Sequence, residues 1–489
     1  LAGCLAAATA LAALSVPFGV PWLAVAGLIV AAVAALAGLV IIAARARLEG
    51  RRERAESDRR LRVAPITEVD PTLIGVDKAA PTVLPWATLP DYLAREVDTV
   101  LRDAIAAALA GRGDWLVVVV GGSKVGKSRT LFEALRRCAL AGKLQLVAPV
   151  DGETLRSLLD PGQAMPIRAE YAVLWLDDLE VFLNQGVTLR TLREWRSGGP
   201  GRIVAATYGG KGSELIAGTI GGLATIATDV LQHARHISLH STSTDELAPL
   251  RGRLSEAEFE TVRRHGLAAY LVAGPALQTK LFTARHAPGE PACPEGVAVV
   301  FTAVDWARCG RTDPVSDGTL RQLWSTHLPA GIAPTDDGFG IGLAWALRPV
   351  AATIALLQRT GGYQAYDYVI RLVREQPGAA PPRDPVWAAA IDTATATEAF
   401  AVAVAAYTHS RLADAATAFN RARDSSIDEL AVLAGNNLGV MLGRLGRSAD
   451  ALAAYQQVIT DYGDDPAPAL RERVAKALVN QGVALGKLG

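Results

Sequence analysis

Cysteine is scarce in this 489-residue chain, and the four present, Cys4, Cys138, Cys293 and Cys309, stand far apart with no CxxC pair. That spacing argues against a disulfide framework or a cysteine zinc site, and it places the soluble part in a reducing compartment. Net charge is missing too. Forty-nine Lys plus Arg balance 49 Asp plus Glu, so the balance argues neither for nor against a nucleic-acid partner. Lysine is rare, with eight residues, and alanine is abundant; we read this as the composition of a high-GC bacterial genome, not as function. His233, His236 and His240 lie close in sequence, but a strand does not bring three such positions into ligand geometry. No protease, nuclease or kinase constellation is present.

Charge is also absent from the first 44 residues. Trp22 to Ala43 is a 22-residue apolar run, about 33 Å as a helix and enough to cross a bilayer. A second run, Ala2 to Ser15, is separated from it by Val16-Pro17-Phe18-Gly19-Val20-Pro21. The expected unit at 1–43 is a transmembrane helical hairpin. The chain opens on Leu1 and closes inside a periodic pattern, so it is expected to be a fragment at both ends. Eight arginines from Arg45 to Arg62 follow. By the positive-inside rule they put residues 45–489 in the cytoplasm, tethered to the cell inner (plasma) membrane. A cleaved signal peptide fits less well, because no basic n-region precedes the run and the run is too long.

What the chain does have is a β-branched run, Val117–Val120, leading into Gly121-Gly122-Ser123-Lys124-Val125-Gly126-Lys127-Ser128 and then into the helix pattern Thr130–Leu135. Strand, Gly-x-x-x-x-Gly-Lys-Ser loop and helix together make the phosphate-binding P-loop. Gly121 and Gly126 let the backbone curl so that its N–H groups, including those of Gly122, Ser123, Lys124, Val125 and Arg129, can face phosphate. Lys127 can reach the β- and γ-phosphates, and the Ser128 hydroxyl can ligate Mg²⁺. The implied ligand is ATP or another nucleoside triphosphate with Mg²⁺.

A second acidic element follows at Ala172-Val173-Leu174-Trp175-Leu176-Asp177-Asp178-Leu179-Glu180. A continuous apolar run reads as a buried parallel strand, and ligands bind at the carboxyl ends of such strands. Asp177 is expected to hold the metal. Asp178 is expected to orient or deprotonate water, with Glu180 as the reserve for that role. Leu144–Val150, Arg202–Thr207 and His236–His240 are expected to join the same parallel sheet, with Thr207 placed to sense the γ-phosphate. Arg190, Arg193 and Arg196 read as a solvated helix face.

The expected fold is therefore an α/β P-loop NTPase domain at 85–240, with a parallel sheet and flanking helices. Before it, 44–84 is a basic juxtamembrane segment and linker, with five prolines between residues 63 and 90. After it, 241–377 is helical, with Leu267–Ala284 among its helices. From 386 to 489 small and aromatic residues recur. Gly439, Leu442, Ala451, Tyr455 and Val458 are matched 36 residues earlier by Ala403, Ala406, Ala415, Phe419 and Ala422, and 43 residues later by Gly482 and Leu485. That is tetratricopeptide spacing, and such repeats stack into an all-α solenoid that binds a peptide or protein. The longer step is expected to lengthen the Asp464–Arg473 connection.

The P-loop, the acidic strand end and Gly201-Arg202-Ile203-Val204-Ala205-Ala206-Thr207 together resemble the signal-transducing P-loop ATPases of the STAND class, especially actinobacterial-type members with C-terminal tetratricopeptide repeats. The resemblance implies a helical lid and winged-helix module at 241–377. It also implies a Gly-x-Pro-type nucleotide contact, matched by Ala273-Gly274-Pro275, and an adenine-side motif, matched by Arg95-Glu96. The class often has arginine shortly after the sensor threonine; here Tyr208-Gly209-Gly210-Lys211 stands there, which weakens the expectation of hydrolysis. The functional reading is a membrane-tethered nucleotide switch coupled to a protein partner on the repeats, with a nucleotide-dependent oligomer compatible with it. One alternative is a repeat scaffold with structurally bound, slowly hydrolysed nucleotide. The other is a nucleic-acid-dependent regulatory ATPase, which the membrane run and neutral charge disfavour.

Overall fold

The structure is a computed structural model that describes residues 61–486 apart from 82, 84–88, 163–164, 210–224 and 352–353. The chain divides into two compact units, Leu1–Arg62 and Val63–Gly489. The hairpin at 1–43 and the arginine-rich stretch to residue 60 lie outside the described residues, as do Gly210 and Lys211. Among the described residues no helix is long and apolar enough to cross a membrane.

A six-stranded sheet organises the first half. Its strands are β1 (Leu61–Pro65), β2 (Leu116–Val120), β3 (Leu144–Pro149), β4 (Tyr171–Leu176), β5 (Arg202–Tyr208) and β6 (Arg235–Ser238), in the order β1-β3-β4-β5-β2-β6. The pairs β3/β4, β4/β5, β5/β2 and β2/β6 are parallel. Every residue of β2 is buried, which is why it reads as an unbroken Val run: both faces are covered by helices, so no alternation is selected. Helices α1 (Asp98–Leu109) and α2 (Lys127–Arg136) supply Leu101, Ile105, Leu131 and Leu135 to the core shared with Val117, Val119 and Trp175. Each such fully buried side chain contributes about 1.5–3 kcal/mol. Around the other strands lie α3 (Gly152–Leu159), α4 (Leu179–Asn184), α5 (Leu189–Ser197) and α6 (Ile226–Leu231).

The proline-rich stretch is more than a linker. Leu61–Pro65 is an edge strand, Ile66 is fully buried in the sheet core, and Ala80 donates its N–H to Leu271 O at 2.7 Å. Pro65 ends the edge strand and Pro71 opens a 3₁₀ turn. Both are places where a missing N–H costs nothing, so proline content misleads here.

The helical middle begins with α7 (Thr244–Leu247) and α8 (Glu256–His265). The helix expected over Leu267–Ala284 is broken into α9 (Leu267–Leu271) and α10 (Gly274–Thr283), with Ala273 at φ 54° between them. Pro275 is the cause, since it has no N–H to bond the carbonyl of Leu271 four residues back and its ring would clash with that carbonyl in a continuous helix. Next come α11 (Pro294–Arg308), α12 (Asp317–Leu323) and α13 (Asp336–Leu347), then the antiparallel hairpin β7 (Leu357–Arg359) and β8 (Tyr363–Ala365), then α14 (Asp367–Arg374). Parallel α/β core and helical continuation together match a P-loop core with a helical region.

The C-terminal part is a stack of helices: α15 (Asp384–Asp392), α16 (Ala396–Thr408), α17 (Leu412–Ala422), α18 (Asp428–Arg444), α19 (Ser448–Tyr462) and α20 (Pro468–Gly486). Small residues let neighbours approach. A Cβ on Gly439 would sit 2.3 Å from the Tyr455 ring, so only glycine admits that ring. Arg473 lies within α20. The longer step therefore goes into longer helices, and the connection after α19 spans only residues 463–467. The stack folds back on the core: Ile427 meets the backbone of Gly186 just after α4, and Arg473 pairs with Asp229 of α6.

Candidate functional site

Strand order creates the site. Because β5 lies between β2 and β4, the carboxyl ends of three adjacent strands present the P-loop, Thr207 and the Asp177-Asp178 pair side by side. The register places Val119 opposite Thr207 and Leu176 opposite Ala206.

The loop after β2 needs its glycines. A Cβ on Gly121 would meet Leu239 O at 2.3 Å, and Gly126 has φ 99°, a left-handed conformation. Lys124 also takes a positive φ, of 57°. Lys127 begins α2, and its ammonium donates to Gly122 O at 3.1 Å across the loop. The open N–H groups at this helix start and the positive dipole end suit an anion.

Three hydroxyl and backbone contacts position the acidic pair. Ser128 Oγ and Thr207 Oγ1 both donate to Asp177 Oδ1 at 2.7 Å, and Asp178 N–H donates to Thr207 Oγ1 at 2.8 Å. Asp178 itself has φ 53°, a conformation that Asp tolerates better than most residues. Removal from water, reinforced by the charge of Asp178, pushes the Asp177 carboxyl upward. Asp178 is raised by removal from water and by the nearby Asp367. Among the described residues no group of three or more His, Cys, Asp or Glu side chains could hold a metal by itself, but Ser128 Oγ with Asp177 is the hydroxyl-plus-carboxylate set that suits Mg²⁺ beside phosphate.

Glu180 sits apart from that set. Its Oε1 accepts the Gly209 N–H at 2.9 Å, while Oε2 is buried with no partner among the described residues. Burial, with Asp178 nearby, raises its carboxyl as well. Arg129 lines the same cavity as the loop. It lies 3.0 Å from Glu133, near the Tyr92 ring. Arg95 braces the loop from behind: Nη1 donates to Val125 O at 3.0 Å, Nη2 donates to His240 O at 2.8 Å, and Nε lies 3.0 Å from Glu246. On α5, Arg190 faces Glu194 and Arg196 donates to the Arg202 carbonyl.

A cavity runs from the P-loop to an apolar end formed by Val76, Ala79, Leu93, Leu267 and Leu271. Gly274 and Pro275 do not line it; the preceding helix α9 does, and Gly274 packs instead on Tyr368. The sequence reading missed several groups at this site. Asp77 Oδ2 lies 2.9 Å from Lys124 Nζ, Tyr366 hydroxyl donates to Asp77 Oδ1 at 3.1 Å, and Ser123 Oγ donates to Asp367 Oδ2 at 2.7 Å. These residues stand 47 to 289 positions from their partners, so no local pattern could have signalled them.

No family model and no curated protein matches the chain. Among solved structures, the chain matches a signal transduction ATPase with numerous domains carrying a tetratricopeptide repeat sensor, from Pyrococcus horikoshii. The match has 10% sequence identity, covers 82% of this chain and 68% of that one, and has a TM-score of 0.24.

Proposed function

We propose that the protein is a membrane-tethered, ATP-binding signalling switch of the STAND kind, in which nucleotide state is coupled to a protein partner on tetratricopeptide repeats. One observation carries the nucleotide reading. Ser128 Oγ, at the start of the helix after the P-loop, is hydrogen-bonded to Asp177 Oδ1 at the end of an adjacent strand. Phosphate-loop hydroxyl and metal carboxylate thus meet at one point. In this reading Gly121–Arg129 cradle the phosphates and Lys127 neutralises them. Ser128 and Asp177 would hold Mg²⁺, which supplies charge neutralisation. Thr207 fixes the Asp177 rotamer and reports on the phosphate end. Asp178 orients the attacking water. The hydrogen bond from Gly209 gives Glu180 a bracing role before a catalytic one.

The remaining parts extend the proposal. The order of helices α11 to α13 followed by the β7–β8 hairpin, with an isolated bridge from Val315 to Tyr363, supports the winged-helix reading. The module's α14 start contacts the P-loop through Asp367, which supports a relay role. The glycine–aromatic packing of Gly439 on Tyr455 supports the repeat reading. The apolar runs before Arg45 support anchoring in the plasma membrane, with residues 45–489 cytoplasmic.

The test is nucleotide binding and turnover by the full chain. Lys127→Ala should abolish Mg-ATP binding, and Asp178→Asn should bind but not hydrolyse. Unchanged ATP affinity in Lys127→Ala would refute the P-loop assignment. Tight binding with equal, background turnover in the wild type and Asp178→Asn would favour a repeat scaffold that holds nucleotide without cleaving it.

A further inference from the structure

The segment 70–80 lies across the metal end of the proposed nucleotide site, anchored at several points. Asp70 caps its 3₁₀ turn by accepting the Thr72 N–H at 2.9 Å. Ile74 O accepts from Trp175 Nε1 at 2.8 Å, on the strand that leads into Asp177. Ala80 N–H donates to Leu271 O on α9. Ile74, Val76, Ala79 and Ala80 are buried. Between these anchors the backbone presses on the acid. A Cβ built on Gly75 would lie 1.8 Å from Asp177 Oδ2, and Gly75 has φ 100°. With Oδ1 taken by Ser128 and Thr207, the strap covers the carboxylate's remaining oxygen.

The strap's second grip is electrostatic. Asp77 pairs with Lys124 of the P-loop, whose ammonium also stands 4.6 Å over the Tyr366 ring. Removal from water works against the Lys124 charge, but Asp77 and Tyr366 hold the ammonium above its usual range. A carboxylate held on the phosphate loop repels an arriving polyphosphate, and the repulsion grows with ligand charge.

We infer that residues 70–80 form a gate on the nucleotide site, in which Gly75 on Asp177 holds the strap closed and Asp77 on Lys124 disfavours Mg-triphosphate relative to Mg-diphosphate. The gate rests on the nucleotide reading above and regulates that same site. A ligand can move such an equilibrium only by its differential affinity for the two states. A third phosphate supplies it by displacing Asp77 from Lys124, whereas the Asp177 oxygen that Gly75 covers would be claimed by the metal of either nucleotide.

The experiment compares the full chain with Asp77→Asn and Gly75→Ala. Asp77 is partly exposed, so its variant keeps the fold, while the alanine methyl forces the strap off Asp177 by an independent route. Amide hydrogen exchange without nucleotide should show faster exchange across 70–80 in both variants. Titration should show Mg-ATP binding tightened at least fivefold in Asp77→Asn, with Mg-ADP changed less than twofold. Unaltered exchange across the strap, or Mg-ATP binding that is unchanged or weaker in Asp77→Asn, would overturn the gate. If the wild type binds no nucleotide, the functional reading fails, while exchange still decides whether Asp77 holds the strap.

Discussion

Thr207→Val is the most searching test of how the site is built. Thr207 is fully buried, and its hydroxyl serves both acids at once, donating to Asp177 Oδ1 at 2.7 Å and accepting the Asp178 N–H at 2.8 Å. Valine fills nearly the same volume, so packing is kept and only hydrogen bonding is lost. A bond to a charged group is worth about 1.5–3 kcal/mol, and an orphaned buried N–H costs about 1–3 kcal/mol. Ser128 still holds Asp177, so the net loss should be about 2–4 kcal/mol. Urea unfolding of the full chain should show the midpoint falling with the slope unchanged. Thr207→Ser should recover most of the loss. Ser128 and Thr207 donate to the same oxygen, so Ser128→Ala combined with Thr207→Val should be non-additive by about 0.5–3 kcal/mol. A loss below about 0.5 kcal/mol for Thr207→Val, the scale of a neutral surface change, would refute the account of Thr207 as the post that positions both acids.

Other outcomes follow from the same structure. Glu180 has its carboxyl raised to about 8 by burial, with Asp178 nearby, against about 4.3 unfolded. Between those values the folded state binds more protons, so stability should fall as pH rises from about 4 to about 8; Glu180→Gln should flatten that slope in a thermal-melt series. Gly439→Ala would drive a methyl to 2.3 Å from the Tyr455 ring and should cost about 1–3 kcal/mol. Gly482→Ala meets nothing within 4 Å among the described residues and should stabilise α20 by about 1 kcal/mol; equal effects at the two glycines would refute the packing account. Lys280 is buried, and its ammonium donates to Trp345 O and Arg348 O at 2.7 Å. Lys280→Met should therefore cost about 2–4 kcal/mol by orphaning both carbonyls, read as a lowered melting temperature.

Local chemistry was legible in the sequence. Val117–Val120 announced a strand buried on both faces, Gly121 to Ser128 a backbone that must curl, and Leu176-Asp177 a strand end that turns acidic. Each signal is carried by neighbouring residues through propensity, glycine φ freedom or apolar run length. The same locality explains the errors. Pro65 and Pro71 looked like linker because proline says only where N–H groups are missing, not what packs behind them. Pro275 broke a helix that the apolar period alone would have continued. The second repeat step looked like a longer loop, because spacing cannot say whether added residues enter a helix or its connection.

Tertiary structure decided what stands beside what. Placing β5 between β2 and β4 brings Ser128, Thr207 and Asp177 within hydrogen-bond distance, although they are 30 to 79 residues apart in the chain. It also laid Gly75 on Asp177 and Asp77 on Lys124. The sequence by itself determined a phosphate loop, an acidic strand end and a glycine–aromatic repeat, because periodicity and φ preference act within a turn or two of chain. Only the fold could decide that a proline-rich segment covers the acid at the centre of the site, because that contact is set by the strand order and by the apolar anchors Ile74 and Ala80. Neither leaves a mark in the residues around it.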